Sequence, residues 1–380
     1  MRENSSGEDI IAPWEFLMLT LISRYNRMKS ALLRRRLIQK KEAGGEKCLS
    51  IHRELQRTVR ETLSQDSNKE NVAFNQAVTL VQKSFPEPSP IQVPEPEKWP
   101  QYKRLLPHVS SLRSVYVASK GRICGSIDFA KLLSAAGVNQ WEQGITKEGS
   151  ELLCTAEEIL ESDSLDDSSV MRANIHCILG LMTDSIGITQ RREGFDRRLK
   201  LLSIRQNFIS ESKSCTRGEE ILLYNAYTDL ACSLIQYNDY KQVEPILKVC
   251  FAKYKEWGSE DDVPYEYAKY YRHIAVVRMY QERYDDAILL GKQAVYWMGK
   301  SGNNNLSYRF KFDLACIIVQ SGDLKLALEM HEEILSARIF NSGKNNELTL
   351  HSCYASAVLH ESEGRLEEAE LVILSFGELS

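Results

Sequence analysis

Residues 269–290 read KYYRHIAVVRMYQERYDDAILL, and the two alanines among them, Ala275 and Ala287, decide the fold. They lie twelve positions apart on either side of a polar turn, each inside an apolar pattern of helical period. The offset returns downstream as Ala315 with Ala327 and Ala357 with Ala369, and upstream as Ala231 with Val243 and Gly137 with Gly149. Gly180 faces Arg192 at the same offset, where the second small residue is missing. The leading members, Gly137, Gly180, Ala231, Ala275, Ala315 and Ala357, are 43, 51, 44, 40 and 42 residues apart, so six units repeat. The segment DLAC recurs at Asp229 and Asp313, two units apart.

Small residues mark the points where two antiparallel helices cross closely, because a larger side chain would hold the backbones apart. Neither helix of such a pair buries its apolar stripe alone, so neighbours stack and the core runs on along the array. The pattern resembles the tetratricopeptide repeat (TPR), which has small residues twelve apart and an aromatic residue or Leu before an acidic pair. Tyr284-Asp285-Asp286-Ala287 and Leu366-Glu367-Glu368-Ala369 fit that signature. The spacing exceeds the repeat's usual length of roughly 34 residues and is similar to the long-helix variety of kinesin light chains. Residues 127–380 are therefore expected to form a TPR-type α-solenoid of six helix pairs, with an insertion at 210–218 and no polar helix covering its last apolar face.

The rest of the chain has a different character. Residues 1–60 hold 13 Lys/Arg against 7 Asp/Glu, a net +6 that leaves −10 for the remainder of a chain whose total is −4. Nine cysteines without a C-x-x-C pair argue against a disulfide framework or a zinc site and for a reducing, intracellular and cytoplasmic setting. Residues 1–14 are expected to be disordered, and the apolar run nearby is too short to span a bilayer. Leu21, Tyr25, Met28 and Leu32 share a helical face, and Leu37–Lys40 and Cys48–Ile51 read as strands about a glycine-bearing turn. Ile51, Leu55, Val59 and Leu63 then step along another helix. This is the outline of a winged-helix-like module with one short β-hairpin, expected over 15–85. Six of the ten prolines fall in 86–100, which predicts a linker there, followed by a connecting helix in 101–126 that Pro107 kinks. The predicted fold class is all-α: a TPR-type superhelix behind that module.

A second resemblance covers nearly the whole chain from about residue 20. Ser50-Ile51-His52-Arg53 with Gln56, Phe85-Pro86, Trp99 and Leu105-Leu106-Pro107-His108-Val109 are similar to the segment between the nucleotide-binding core and the repeats of fungal NB-ARC/TPR STAND NTPases. That family's engine needs a glycine loop with Lys and Ser/Thr to cradle a triphosphate. No G-x-x-x-x-G-K-[ST] occurs in the sequence. The resemblance thus implies the sensing or regulatory half of an NLR-like protein, without ATP hydrolysis.

Nothing in the pattern indicates an enzyme. There is no G-x-S-x-G and no H-E-x-x-H, and His176-Cys177 and His351 with Cys353 would need ligands from other repeats to hold a metal. No catalytic residue, cofactor or metal is expected. The groove carried by the first helix of each pair is the expected binding surface. Residues three and six before the small position share that face with those one and four after it, and the former are Asn225, Thr228, Lys269, Arg272, Arg309, Phe312, His351 and Tyr354. Three cations among polar and aromatic groups suit an acidic peptide. Tyr267, Tyr270, Tyr271, Tyr280 and Tyr284 are expected to be packing between repeats rather than a ligand box. Arg24, Arg27, Arg34, Arg35, Arg36, Lys40 and Lys41 form a basic face, expected to be solvated or to dock within the molecule, with DNA association as the alternative function and an accessory scaffold for an enzyme as another. The expected partners are a protein or peptide, with no membrane and with self-association through the C-terminal end.

Overall fold

The computed structural model describes residues 25–43, 46–89, 95–162, 169–186, 190–212, 214–302 and 304–376. The chain divides into two compact units, the first ending at Phe74 and the second running from Asn75. The division falls ahead of the proline-rich stretch 86–100 that was expected to carry it.

In the first unit, helical residues 25–34 (α1) lead into an antiparallel hairpin, β1 (Ile38–Ala43) with β2 (Glu46–Ile51). Ile38 lies opposite Ile51 and Ala43 opposite Glu46, so both strands are longer than the sequence pattern suggested. Helix α2 (Arg53–Leu63) follows, and the His52 ring caps it by accepting the Glu54 amide hydrogen at 3.3 Å. That bond gives the histidine of the Ser50–Arg53 motif a structural role. Helix α2 buries none of its residues, and Val59 stays half-exposed on its apolar stripe. Helix α3 (Ser67–Gln82) starts in this unit.

All the regular secondary structure described in the second unit is helical. After a short 3-10 turn, Pro96–Lys98, comes α4 (Trp99–Ala118), which continues through Pro107. Six helix pairs follow: α5 (Ile127–Glu142) with α6 (Thr146–Ser162), α7 (Ser169–Ile186) with α8 (Arg191–Glu211), and α9 (Arg217–Gln236) with α10 (Tyr240–Trp257). Then come α11 (Pro264–Tyr280) with α12 (Tyr284–Lys300), α13 (Asn304–Ser321) with α14 (Leu324–Ser342), and α15 (Glu347–Ser362) with α16 (Leu366–Leu374). Each helix packs chiefly on its neighbours in sequence, the arrangement of an α-solenoid of TPR-like pairs.

The starts of these helices are written locally. Thr216 and Glu219 form a reciprocal capping box at α9, while Ser126, Asp323 and Asn346 cap α5, α14 and α15 with side-chain oxygens.

The small positions are where the helices cross. Ala231, Val243, Ala275, Ala287, Ala315 and Ala327 are fully buried. A Cβ on Gly137 would lie 3.2 Å from the Gly149 carbonyl oxygen and 2.5 Å from Leu153 Cγ, so the pair α5/α6 has no room for a methyl. In the second pair the partner of Gly180 is Gly194, whose carbonyl oxygen would lie 3.5 Å from a Cβ there, and not Arg192. The crossing residue of α8 therefore lies fourteen positions after Gly180 rather than twelve. The long spacing of this unit also goes into α8, at 21 residues the longest helix of the array. Ser210 and Glu211 belong to α8 and Arg217 opens α9, so the expected insertion shrinks to the link between them.

The tyrosines divide as packing residues do. Tyr267 and Tyr271 are buried with Tyr254 in a core cluster, against which Tyr270 packs. Tyr280 stacks on Tyr240 at 4.7 Å between ring centroids. At the other end of the array Leu366, Leu371, Ile373 and Leu374 of α16 are exposed.

Enlarging a crossing residue forces the helices apart. Ala287→Leu is expected to cost about 1–3 kcal/mol in urea denaturation, whereas Leu289→Ala, on the exposed face of the same helix, changes stability by less than about 0.5 kcal/mol.

Candidate functional site

The first helix of each pair turns one face inward, and together these faces line a partly open cavity of about 330 Å³ in the second unit. Its wall carries Arg198, Lys269, Arg272, Arg309 and Arg338 against two carboxylates, Asp229 and Asp313. Trp141, Tyr265, Phe310, Phe312 and Leu348 supply the apolar part.

Consecutive repeats are joined across this wall by ion pairs. Lys269 Nζ lies 3.1 Å from Asp229 Oδ1 and 3.1 Å from Asn225 Oδ1, and Arg272 Nε donates to Asp313 Oδ2. Arg198, fully buried, stands 4.0 Å from Asp229. Burial pulls the Lys269 ammonium pKa down, but Asp229 and Tyr265 outweigh it and the net shift is upward. These two acids are therefore committed to the wall itself.

Arg338 is different. It is 7% exposed, and among the described residues its hydrogen bonds leave from Nη1, to the Leu348 carbonyl oxygen at 2.8 Å and to Ser352 Oγ at 2.7 Å. Its guanidinium lies over the Phe312 ring, 5.0 Å from the centroid. Burial, reinforced by the positive charge of Arg309, lowers its pKa to about 10. A buried cation held by neutral groups retains most of its desolvation cost.

The wall closes on itself. Asn346 Nδ2 donates to the Gln143 carbonyl at 2.6 Å, and Thr146 Oγ1 donates to Glu347 Oε2 at 2.6 Å. Leu348 packs on Gly144, where a Cβ would meet its Cγ at 3.1 Å and where φ is +71°. The turn between α5 and α6 thus meets the start of α15, some two hundred residues away in sequence. Beside this seam Trp99 Nε1 donates to Glu142 Oε2 at 2.8 Å, tying α4 to α5.

Of the eight residues predicted to face the groove, Asn225, Lys269, Arg272, Arg309, Phe312 and His351 line the cavity. Thr228 does not. It is fully buried and its hydroxyl donates to the Asn225 carbonyl at 2.8 Å, so it packs behind the wall. Tyr354 is also outside the lining and is 71% exposed. Sequence reasoning missed Asp229, Asp313, Arg198, Arg338 and Trp141. The two aspartates had a signal, the recurring DLAC, each two residues before its small residue.

On the first unit, Arg27, Arg34, Arg35, Arg36, Lys40 and Lys41 are all exposed on α1, the following turn and β1. Arg24 lies outside the described residues. Among the described residues no group of three or more His, Cys, Asp or Glu side chains gathers as a metal site. All nine cysteines are unpaired, and burial pushes Cys177, Cys250 and Cys316 up to about 12, which leaves those thiols protonated and unreactive at neutral pH. No described helix is long and apolar enough to cross a membrane.

No family model matches the sequence, and no curated protein matches it. Among solved structures the chain is similar to the apo form of RapI, at 11% identity over 72% of this chain and 80% of that one, with a TM-score of 0.40. It is also similar to residues 1–338 of Acl4, the assembly chaperone of RpL4, at 15% identity over 72% and 99%, with a TM-score of 0.37. A third is a single-residue variant of the nearly identical TPR-like repeats assigned to a Podospora anserina kinesin light chain, at 13% identity over 64% and 91%, with a TM-score of 0.26. At these scores the likenesses carry no functional argument, and the solenoid assignment rests on the helix pairs themselves.

Three buried imidazoles make the array acid-sensitive. Burial first, then Arg338, lowers His331 to about 4; burial lowers His176 to about 4 against the opposing pull of Glu157; burial and Arg272 hold His273 well below its usual value. Below about pH 6.5 the unfolded chain takes these protons while the folded chain does not. Stability present above that pH is lost as pH falls towards 4, and His331→Gln is expected to remove about 2 kcal/mol of the loss, read from denaturation midpoints across the range.

Proposed function

We propose that the chain is a protein-interaction scaffold, the sensing or regulatory repeat half of an NLR-like assembly, whose cavity wall takes an anionic, carboxylate-bearing segment of a partner. The observation that supports it is the charge of the lining, five cations against two carboxylates that are already engaged. Fork-shaped guanidinium donors beside aromatic faces suit carboxylates. The structure also changes which residues should be probed. Reversing Lys269 or Arg272 would break the inter-repeat pairs, so Arg338, bonded to a carbonyl and a hydroxyl, is the informative position. In affinity capture from the native extract, the wild type is expected to hold an acidic partner whose binding weakens with salt and falls at least tenfold for Arg338→Met. Equal retention by both proteins would remove the lining from the account.

A second reading is favoured by one observation, the six exposed cations of the first unit within residues 27–41. Against it stands the net −10 carried by the chain beyond residue 60, which repels a polyanion at long range. If this unit associates with nucleic acid, duplex binding at low salt should be lost on changing Arg34, Arg35 and Arg36 to Ala, with a shallower salt dependence. No anisotropy change with duplex DNA at about 50 mM salt, where phosphate contacts are strong, would dispose of it.

A further inference from the structure

The cavity's size, its closure and its residual charge say more about its occupant than the sign of the lining does. A volume of about 330 Å³ lies near the lower bound of small-molecule sites, roughly 300–1,000 Å³. A groove for an extended peptide is open along its length, whereas this wall is joined end to end by the Asn346–Gln143 and Thr146–Glu347 hydrogen bonds. Lys269 and Arg272 are neutralised by Asp229 and Asp313. Arg338 has no carboxylate of its own among the described residues, although it is more than nine-tenths buried. Its Nη1 also grips the Leu348 carbonyl, and Leu348 is the side chain that seats on Gly144 in the seam. The group lacking a counter-charge is therefore attached to the closure.

Resting on the reading of the lining as an anion site, we propose that the cavity binds a compact organic anion with one or two negative charges on an apolar or aromatic body, held by Arg338 beside the seam. An aromatic body has Trp141, Phe310 and Phe312 to lie against. The anion supplies the charge that Arg338 lacks, and because Arg338 holds Leu348, occupancy also tightens the contact between the first and last repeats.

The test titrates the full chain with 1-naphthyl phosphate, followed by its fluorescence anisotropy, and separately with a blocked twelve-residue peptide of alternating Glu and Leu. Saturable one-to-one binding of naphthyl phosphate is expected, weakened at least tenfold in Arg338→Met and unchanged in Arg36→Ala. Asn346→Ala and Thr146→Ala are expected to speed probe release severalfold. If Arg338→Met does not fold by circular dichroism, Arg338→Lys, which keeps the charge and loses the fork, takes its place with an intermediate loss. Binding of the peptide but not of naphthyl phosphate overturns the compact ligand and leaves the anion reading standing. Binding of neither up to millimolar concentration overturns both. Naphthyl phosphate binding that ignores Arg338 places the anion elsewhere and overturns the proposal.

Discussion

Everything in the second unit depends on how closely two helices approach within a pair. At Gly137 and Gly149 the two backbones leave no space for a methyl, and the alanines at the corresponding positions of Ala231, Ala275, Ala287, Ala315 and Ala327 are fully buried. Close crossing at one point per pair fixes the rotation of both helices about their axes. It therefore decides which residues of the first helix look inward. Lys269 and Arg272, six and three residues before Ala275, reach the inner wall for that reason, and so does Asp313, two before Ala315. The site is a consequence of the crossing geometry rather than a separate invention.

Electrostatics then sorts the inward-facing charges into two kinds. A buried or half-buried cation must recover its desolvation cost from a partner. Lys269 and Arg272 do so across the repeat boundary, with acids contributed by α9 and α13 on either side of α11. These pairs act as rivets between neighbouring units. Arg338 comes from α14, the outer helix of its pair, and reaches the wall from behind, where it meets a carbonyl, a hydroxyl and the Phe312 ring. Neutral acceptors and a π face hold its position without neutralising it, which is what burial and its lowered pKa both report.

The parts of this arrangement that were legible in the sequence are those set by local periodicity. Small residues twelve apart gave the helix pairs, and helical spacing from them found six lining residues. The scheme slipped at Gly180, whose true partner is Gly194, fourteen positions on rather than twelve. It also slipped where the three-before rule met a different environment: Thr228 sits behind the wall bonded to its own helix, while Tyr354 belongs to the last described pair and projects away from the cavity. Arg338 was beyond reach because a rule built on first helices is blind to a long side chain from a second one. The boundary at Phe74 was equally hidden, since proline content marks where helices stop and not where contacts thin out.

The seam is the feature least accessible to sequence reasoning, because nothing local distinguishes a turn that will meet another two hundred residues later. Its chemistry is modest: two hydrogen bonds and one leucine seated on a glycine. By contrast, α11 and α12 or α7 and α8 are packed along their lengths. In a quasi-one-dimensional array, small rotations at each interface add up along the stack, so a slight change in packing anywhere between α6 and α14 is delivered in full at this contact. A thin closure at the end of a long lever is the place where such a change is felt first. Gly144 shows how closely the two ends are matched: its left-handed backbone turns the α5–α6 loop, and the absence of a side chain there is what lets Leu348 come to rest on it.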